Sequence, residues 1–591
     1  MPLALILRGL TMLLVATVPF AGILAAEPAA PPIPIRFTLD RPGHVTLVID
    51  SPAGERIRNL TSGEFFAAGD HVVGWDGLDE GRAIPIPRTA GAYDTAQALV
   101  SPGSFVVRGL VRDPLTLTYD FTVYPDCGNP PWPTDLERGS GGWLADHAMP
   151  HAAAFVPARR APGGFDQVVL ASTVSEASQA IAWVDMSGKK VAGRWRIGGH
   201  WTGASHLAFD RGSKAHPEVY LYSAMAWSGE ANKPEIRLMG FTEKDVVPVA
   251  FVHPELPAGK TTEEFKITGL GGLAVHDGLL VYAEKLTGTL HFLDTSKVDG
   301  KRQAEEIGVV PLPGASDLCF DEQGRLLVVV GREVHRYTLG AFPTPLAEPE
   351  RLIRAGLEEP QRITVGPDGK IYVSDWGASH QVKVFAADTG DLLATIGKPG
   401  APKTGPYDRD HMNRPLGVAV TDDGHVWVAE KFRSPKRVSC WTTSGKLVRA
   451  CCGPPAYGGG GMIDRREPNR FFYASGDGGL EFALDWQAGR AEPSRIYWLA
   501  EETPFLKFRW DGPMHRRRFR DRDYMTDEYG GPTSGHPLLV IFRETGDRVV
   551  PVAVVGNAAN WPHLETTGLL DRYPELRDRN PGKRYAFAQG M

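Results

Sequence analysis

The stretch from Pro367 to Trp376 reads PDGKIYVSDW, and the stretch from Asp422 to Lys431 reads DDGHVWVAEK. Each combines a polar turn that contains a glycine, an alternating apolar run and a terminal acid. Related stretches occur upstream, so that the turn glycines at positions 278, 324, 369 and 424 lie 46, 45 and 55 residues apart. Self-similarity with a period of about 40–50 residues and several short strands per unit is typical of a β-propeller. We therefore predict an all-β fold.

Each repeated unit is expected to form four antiparallel strands, because a short strand precedes the glycine turn and further alternating runs follow it. One unit cannot cover both of its faces, so the units must pack in a ring. We predict a propeller of six to eight blades over residues 148–500, with seven favoured and Arg470–Leu499 as the seventh. Residues 501–591 are expected to add strands that close or extend the propeller, unless the sequence is truncated there.

The repeated unit resembles NHL repeats, in which a proline, alternating branched residues, an Asp-Gly turn and an acid follow one another. Pro360–Asp375 and Pro415–Glu430 match this pattern well, and two further units match it in part. Gluconolactonase-type propellers are similar to it as well. NHL repeats normally continue with an Asn–Arg pair, whereas His380 and Lys436 occupy the first of these two places here. The resemblance implies the fold and no particular ligand.

Residues 33–126 alternate apolar and polar residues in short runs, which predicts a small antiparallel β-sandwich. The segment AGDHVVGWDG (Ala68–Gly77), with AGERIRNL before it and SPGSFVVRGL after it, resembles the Ig-like domain of flagellar hook-capping proteins. The resemblance implies a module that acts as a spacer or a docking platform. Residues 127–147 are rich in proline and glycine and are predicted to form a linker.

The first 26 residues have the pattern of a secretory signal peptide, with one cation at Arg8, an apolar run and small residues at Ala25 and Ala26. We predict that the mature protein begins near Glu27 and is secreted, periplasmic or displayed on the cell surface. An uncleaved membrane anchor is the alternative. No later run approaches the ~18 apolar residues of a spanning helix, so no transmembrane helix is expected in the mature chain.

Composition excludes several classes of protein. The 64 Lys+Arg and 70 Asp+Glu residues give a formal net charge of -6, which carries no signal for nucleic-acid binding. The five cysteines are odd in number and sparse, which argues against a disulfide framework and against a zinc ribbon. The sequence leaves the pairing of the cysteines open.

The inner strands of a propeller begin around a central channel, where ligand sites are favoured. Four polar residues at or near these positions are predicted ligand contacts: His151, His206, Asp317 and Arg362. The two histidines, with His147 and His200, are also candidate zinc ligands. Hydrogen bonding of these imidazoles to loop backbone is the alternative.

Three acids occupy equivalent places, six residues after the turn glycine: Glu284, Asp375 and Glu430. One hypothesis is that they form a carboxylate site for Ca²⁺ or another divalent cation. The favoured alternative is that each acid caps backbone N–H groups of a neighbouring turn. Val330 occupies the corresponding place in one unit and interrupts the set of acids.

The stretch Met514–Gly531 concentrates arginines beside aspartates, with two interleaved tyrosines. Arginine forks bind carboxylates well, so contact with an acidic glycan is one interpretation. Charges of alternating sign more often mark a self-paired surface loop, which is the favoured interpretation.

We predict an extracytoplasmic binding or interaction protein whose ligand, a glycan or a cell-envelope protein, meets the mouth of the channel. The alternative is a metal-dependent hydrolase, lactonase or lyase that acts on sugars. A third hypothesis is a structural cell-surface component. No nucleophile elbow, HExxH helix or phosphate-binding loop occurs in a fitting context, and propellers host both binding and catalysis.

Overall fold

The structure is a computed structural model. It describes residues 33–85, 93–121, 123, 148–175, 179–197, 202–211, 218–229, 232–296, 298, 303–432, 434–453, 461–503, 512–527, 538–556, 571, 574 and 585–588. The chain divides into two compact units, Met1–Thr118 and Tyr119–Met591. The predicted signal peptide and the predicted linker lie outside the described residues. Among the residues that are described, no helix is long and apolar enough to cross a membrane.

The first unit contains two small antiparallel sheets, one of two strands and one of three, and a separate two-stranded hairpin. Leu39, Val45 and Leu47 form its core, because alternate residues of the central strand point inward. Phe37 and Phe66 meet edge to face with ring centroids 5.3 Å apart. The Ig-like character of this unit stays a prediction. Its strands are β1 (Ile33–Leu39), β2 (Gly43–Asp50), β3 (Arg56–Phe66), β4 (Gly69–Trp75), β5 (Arg82–Pro85), β6 (Tyr93–Ala96) and β7 (Val106–Arg112).

The second unit begins with six four-stranded antiparallel sheets, in which consecutive strands pair. We call them blades 1 to 6. A short helix, α1 (Thr262–Thr268), precedes blade 3. Blade 1 contains β8 (Pro150–Val156), β9 (Gln167–Ser172), β10 (Ile181–Asp185) and β11 (Lys190–Arg194). Blade 2 contains β12 (His206–Phe209), β13 (Leu221–Ser228), β14 (Pro234–Phe241) and β15 (Val246–Val252). Blade 3 contains β16 (Leu270–His276), β17 (Leu279–Glu284), β18 (Thr289–Asp294) and β19 (Glu305–Pro311).

The remaining blades follow the same order. Blade 4 contains β20 (Ala315–Phe320), β21 (Leu326–Val330), β22 (Glu333–Tyr337) and β23 (Glu350–Ile353). Blade 5 contains β24 (Pro360–Val365), β25 (Ile371–Asp375), β26 (Gln381–Phe385) and β27 (Leu392–Ile396). The long insertion after blade 5 carries β28 (Gly405–Pro406). Blade 6 contains β29 (Pro415–Val420), β30 (His425–Glu430), β31 (Lys436–Thr442) and β32 (Leu447–Gly453).

The six blades close into a ring. The first strand of each blade packs beside the first strand of the next, and β29 of blade 6 packs on β8 of blade 1. The approach is close, since a Cβ added at Gly417 would lie 2.6 Å from the backbone of Ala152. Blades 1 and 6 share no strand, so side-chain packing closes the ring. Six is within the predicted range and one fewer than the favoured number, because no gap remains for a seventh blade.

The strands that were predicted to form a seventh blade belong to a separate five-stranded sheet after the ring. The insertion strand β28 pairs with β36 at the edge of this sheet. A second five-stranded sheet follows. The strands of the two sheets are β33 (Met462–Asp464), β34 (Glu467–Ala474), β35 (Gly478–Asp485), β36 (Arg490–Leu499), β37 (Pro513–Phe519), β38 (Arg522–Asp527), β39 (Leu538–Thr545), β40 (Arg548–Gly556) and β41 (Tyr585–Ala588). The short 3-10 helix Ala500–Glu502 lies between them.

The second strand of a blade has both faces buried, which explains its continuous apolar character. In β25, Ile371 and Val373 pack into the core between blades 4 and 5, while Tyr372 packs into the core between blades 5 and 6. Successive side chains of a strand point to opposite faces. The glycine turn before this strand needs a positive φ, which is 73° at Gly369. The repeated sequence pattern therefore builds one blade and two of its interfaces.

Val373 and Val428 were predicted to be buried between blades, and both are fully buried there. Truncating either residue to alanine is expected to lower the free energy of unfolding by about 1–3 kcal/mol, because two buried methyl groups are lost. Urea unfolding measures this change. Val448→Ala, at a position that is 39% exposed, serves as the control. An equal loss in the control would contradict the interpretation.

Candidate functional site

Asp375, the acid at the end of β25, binds the backbone just before the first strand of its own blade. The carboxylate of Asp375 accepts hydrogen bonds from the backbone N–H groups of Glu358 at 3.1 Å and Glu359 at 2.7 Å. Its other oxygen lies 2.6 Å from Lys383 Nζ in β26. Asp375 is fully buried and the Lys383 side chain is 8% exposed. The capping role that the sequence favoured is present here, and a buried ion pair accompanies it.

The acids of blades 6 and 3 are also bound within their own blades. Glu430 accepts hydrogen bonds from the Asn413 N–H at 2.9 Å and from Ser439 Oγ at 2.8 Å. Glu284 lies 3.6 Å from His291 Nε2. Among the described residues, no group of three or more His, Cys, Asp or Glu side chains has the arrangement of a metal site. The three predicted acids therefore do not fit a shared cation.

The residue that follows each of these acids, and Gly331 at the corresponding place after Val330, lies at the mouth of the channel, which is the end where the inner strands begin. Its backbone N–H donates to the carbonyl just before the inner strand of the same blade, at 2.8 to 3.1 Å. The four equivalent positions, in blades 3 to 6, are Lys285, Gly331, Trp376 and Lys431. We call these four positions the rim.

The rim is positively charged. Lys285 is exposed and Lys431 is half-buried, and neither forms a salt bridge with a carboxylate of the described residues. Lys431 Nζ lies 5.8 Å from the centroid of the Trp376 ring. Burial lowers the pKa of Lys431, and the positive charges of Arg362 and Lys285 lower it further. Lys285 and Lys431 belong to blades 3 and 6, which are opposite each other in a ring of six, so they lie on opposite sides of the channel mouth.

Arg362 spans the channel just inside the rim. It belongs to blade 5, yet its guanidinium donates to the carbonyl of Gly271 in blade 3 at 2.7 Å and to that of Ser205 in blade 2 at 3.3 Å. Blade 2 is opposite blade 5 in a ring of six. Asp317 Oδ1 of blade 4 lies 3.6 Å from the guanidinium. Arg362 Nε is buried and has no partner. Residues of four blades thus meet at one buried cation.

His206 also contacts the residues around Arg362, and its hydrogen bonds do not suit a metal ligand. Its Nε2 lies 2.6 Å from the carbonyl oxygen of Gly271, and its Nδ1 lies 2.8 Å from Ser205 Oγ. Burial, with the charge of Arg362, holds the pKa of His206 well below its usual value. Both ring nitrogens are occupied by protein atoms. Nδ1 of His151 bonds a backbone carbonyl at 2.8 Å, and the other two predicted histidines lie outside the described residues.

A cavity of about 440 Å³ occupies the channel, and the inner strands of all six blades line it. Asp317 and Arg362 bound it near the mouth, and Arg159 and Arg211 line its opposite end. Arg211 donates to the backbone carbonyl of Val365 at 2.7 Å. The volume is within the range of small-molecule sites. Three of the four predicted contacts, His206, Asp317 and Arg362, line this cavity.

Asp317 is the buried acid of the site. Burial raises its pKa to about 7, although the charge of Arg362 and a hydrogen bond from the Ile363 N–H oppose this rise. That hydrogen bond is 2.7 Å long. A Cβ added at Gly272 would lie 2.5 Å from Asp317 Oδ1. The glycine of the neighbouring blade therefore leaves room for this carboxyl group.

Because the folded-state pKa of Asp317 is above its ordinary value of 3.8, the folded protein binds more protons than the unfolded chain between about pH 4 and 7. The stability should fall as the pH rises through this window, by on the order of 1 kcal/mol per pH unit. Asp317→Asn should remove this part of the slope, and Asp388→Asn, at an exposed position, should not. Urea unfolding at several pH values measures the slopes. An unchanged slope in Asp317→Asn would contradict the prediction.

The described part of the arginine-rich stretch, residues 514–527, forms the hairpin β37–β38. Arg516 is buried and contacts Asp464 at 3.0 Å, Asp523 at 3.1 Å and Glu544 at 2.9 Å. Its guanidinium therefore joins strands of the two sheets that follow the ring. Only Asp523 of these partners belongs to the stretch itself, so Arg516 is paired mainly with neighbouring strands, and it lies in a strand and not in a surface loop.

Comparison with known proteins supports the repeat pattern. Residues 357–385 match the NHL repeat family. The match spans β24 to β26 of blade 5. It supports, in general terms, a propeller that binds or interacts with a partner. No curated protein matches the chain.

Solved structures show weak similarity. A protein of unknown function from Bacteroides thetaiotaomicron has 13% identity and a TM-score of 0.33, and the match covers 69% of this chain and 90% of that chain. Virginiamycin B lyase from Staphylococcus aureus has 14% identity and a TM-score of 0.26, with coverage of 51% and 90%. YCF48 bound to D1 peptide has 12% identity and a TM-score of 0.26, with coverage of 58% and 91%.

Sequence reasoning missed the rim residues Lys285, Trp376 and Lys431. The signal was present, because each of them directly follows an acid in the repeated pattern, as in YAEK and VAEK. Successive side chains of a strand point in opposite directions. The residue after a buried capping acid was therefore a candidate for the channel mouth.

Proposed function

We propose that this protein is an exported β-propeller protein that binds a glycan or a protein ligand at the mouth of its central channel. The observation that carries the proposal is the position of Arg362, which reaches across the channel to blades 2 and 3 and keeps one buried donor without a partner. A buried donor without a partner is costly, and a ligand acceptor would relieve that cost.

The rigidity of the site supports binding. Arg362, His206 and Asp317 are fixed by hydrogen bonds to the backbone of neighbouring blades. Preorganised polar groups in a concave site lose little entropy on binding. The alternative of a metal-dependent hydrolase, lactonase or lyase gains less support, because Asp375, Glu430 and His206 are occupied by protein partners and only Glu284 keeps a buried oxygen without one.

Export is supported by the signal-like start of the sequence and by Cys451, which is disulfide-bonded. Disulfides persist mainly in oxidising compartments outside the cytoplasm. Cell fractionation followed by N-terminal sequencing tests this part of the proposal. We expect an exported chain that starts near Glu27. An intact Met1 on the exported protein would refute cleavage, and a cytoplasmic protein would refute export.

Binding is tested by screening the full-length mature protein on glycan and peptide arrays. Arg362→Met removes the central donor, and Lys285→Trp crowds the mouth from an exposed position that does not touch the core. We expect both variants to lose the ligand. The matched control is Arg490→Met, at a side chain that is 66% exposed. A ligand that binds both variants as well as the wild type would overturn the proposal, provided that the melting temperatures show folded proteins.

A further inference from the structure

The channel mouth carries the cations Lys285, Arg362 and Lys431, and the exposed acids Glu358 and Glu359 lie beside the rim position of blade 5. Lys285 and Lys431 hold the rim positions of blades 3 and 6, and Arg362 lies just inside the rim. Asp317 is near Arg362, but one of its oxygens is already used by the N–H of Ile363. The two lysines have no carboxylate partner among the described residues. An anionic group of a ligand would therefore meet cations that the described protein leaves unpaired.

Trp376 gives the rim an aromatic face. Its Nε1–H donates to the carbonyl of Pro415 at 2.6 Å, which satisfies the polar atom of the indole and fixes the ring. The half-buried ring therefore offers apolar area to a ligand. Lys431 Nζ lies over one face of this ring, 5.8 Å from the ring centroid. An aromatic ring with a cation next to it matches a ring-shaped ligand that carries a carboxylate.

Blade 4 leaves the rim open between Lys285 and Trp376. The rim position of this blade is Gly331, which has a φ of 61° and no atom within 4 Å of the place where a Cβ would stand. The glycine is required there because other residues adopt a positive φ at a cost. A ligand has space to approach Arg362 over this blade, with a lysine on one side and the indole on the other.

We propose that the rim and Arg362 bind an acidic oligosaccharide built from uronic acid units. This inference rests on the proposed binding at the channel mouth and names the class of ligand. A pyranose ring stacks on Trp376 and its carboxylate meets Lys431, while the carboxylate of a further unit meets Lys285 on the opposite blade. The unpartnered Nε of Arg362 donates to an oxygen at the inner end of the site. Sugar rings supply the flat C–H face that the indole fits, together with a carboxylate on the same ring.

The test is isothermal titration of the full-length mature protein with trisaccharides of galacturonate, glucuronate and mannuronate, and with the neutral galactose trisaccharide. We expect at least one uronate to bind and the neutral sugar to bind at least about tenfold more weakly. The double variant Lys285→Met with Lys431→Met should lose at least about tenfold in affinity, and so should Trp376→Ala. The affinity should also fall with added salt. Lys370→Met, at an exposed lysine on the glycine turn of blade 5, is the control and should bind normally.

Three outcomes would overturn this inference while the proposed function stands. The first is that no uronate binds although the arrays give a ligand that Arg362→Met abolishes. The second is that neutral and acidic sugars bind equally and the lysine variants bind normally. The third is that triglutamate binds in place of the uronates and depends on the two lysines. The proposed function fails separately, if no array ligand depends on Arg362 or on the Lys285→Trp block.

Discussion

Replacing Asp375 with alanine should lower the free energy of unfolding by about 3–5 kcal/mol. The substitution leaves Lys383 buried without its carboxylate and removes the acceptor of the Glu358 and Glu359 N–H groups. Breaking one member of a buried ion pair is costly because the other charge stays desolvated. Urea unfolding measures the loss, and Asp388→Ala, at an exposed turn position, is the control.

The double variant Asp375→Ala with Lys383→Met should recover part of the loss, because no buried charge then remains. The losses at Asp375 and Glu430 should add within about 0.5 kcal/mol, since each acid caps its own blade. A chelator should change neither value. Coupling between the two acids that disappears with chelator would contradict the capping interpretation and restore the shared cation.

Replacing Trp427 with alanine should cost about 3–5 kcal/mol, as expected for a large aromatic side chain in a tightly packed core. Trp427 is 1% exposed and lies in the cluster that joins blade 6 to Phe155 and Leu170 of blade 1. Since no strand is exchanged between these blades, the cluster supplies the closure. Trp486→Ala, at a residue that is 48% exposed, is the control for urea unfolding.

Hydrogen exchange distinguishes closure from a general loss of stability. If the cluster closes the ring, β8 and β29 should exchange faster in Trp427→Ala than the inner strands of blades 3 and 4. A uniform increase over all six blades, or a loss no larger than in Trp486→Ala, would contradict this account of ring closure.

The strands of the ring were predictable because they depend on local patterns. The turn glycine and the alternating residues of Ile371–Asp375 are close in sequence, and they determine both the hairpin and the burial of both faces. The number of blades was not predictable in the same way. It depends on the contact between Gly417 and Ala152, which are far apart in the chain. Whether these two residues meet is determined by the angles between all the successive blades.

Part of the candidate site could also be predicted from the sequence. His206, Asp317 and Arg362 were found from their register at the starts of inner strands. That the long side chain of Arg362 crosses to Ser205 was not predictable, because its direction depends on the carbonyls of opposite blades. The rim lysines were missed because the repeated pattern was interpreted only as far as the acid that precedes each of them.

The most direct test of the central claim is hydrogen–deuterium exchange of the full-length protein with and without the tightest ligand from the arrays. Binding at the channel mouth predicts increased protection of the backbone around Gly269–Gly272 and Glu359–Arg362, which starts the inner strands of blades 3 and 5. Protection confined to the N-terminal unit, or to the two sheets that follow the ring, would contradict the claim.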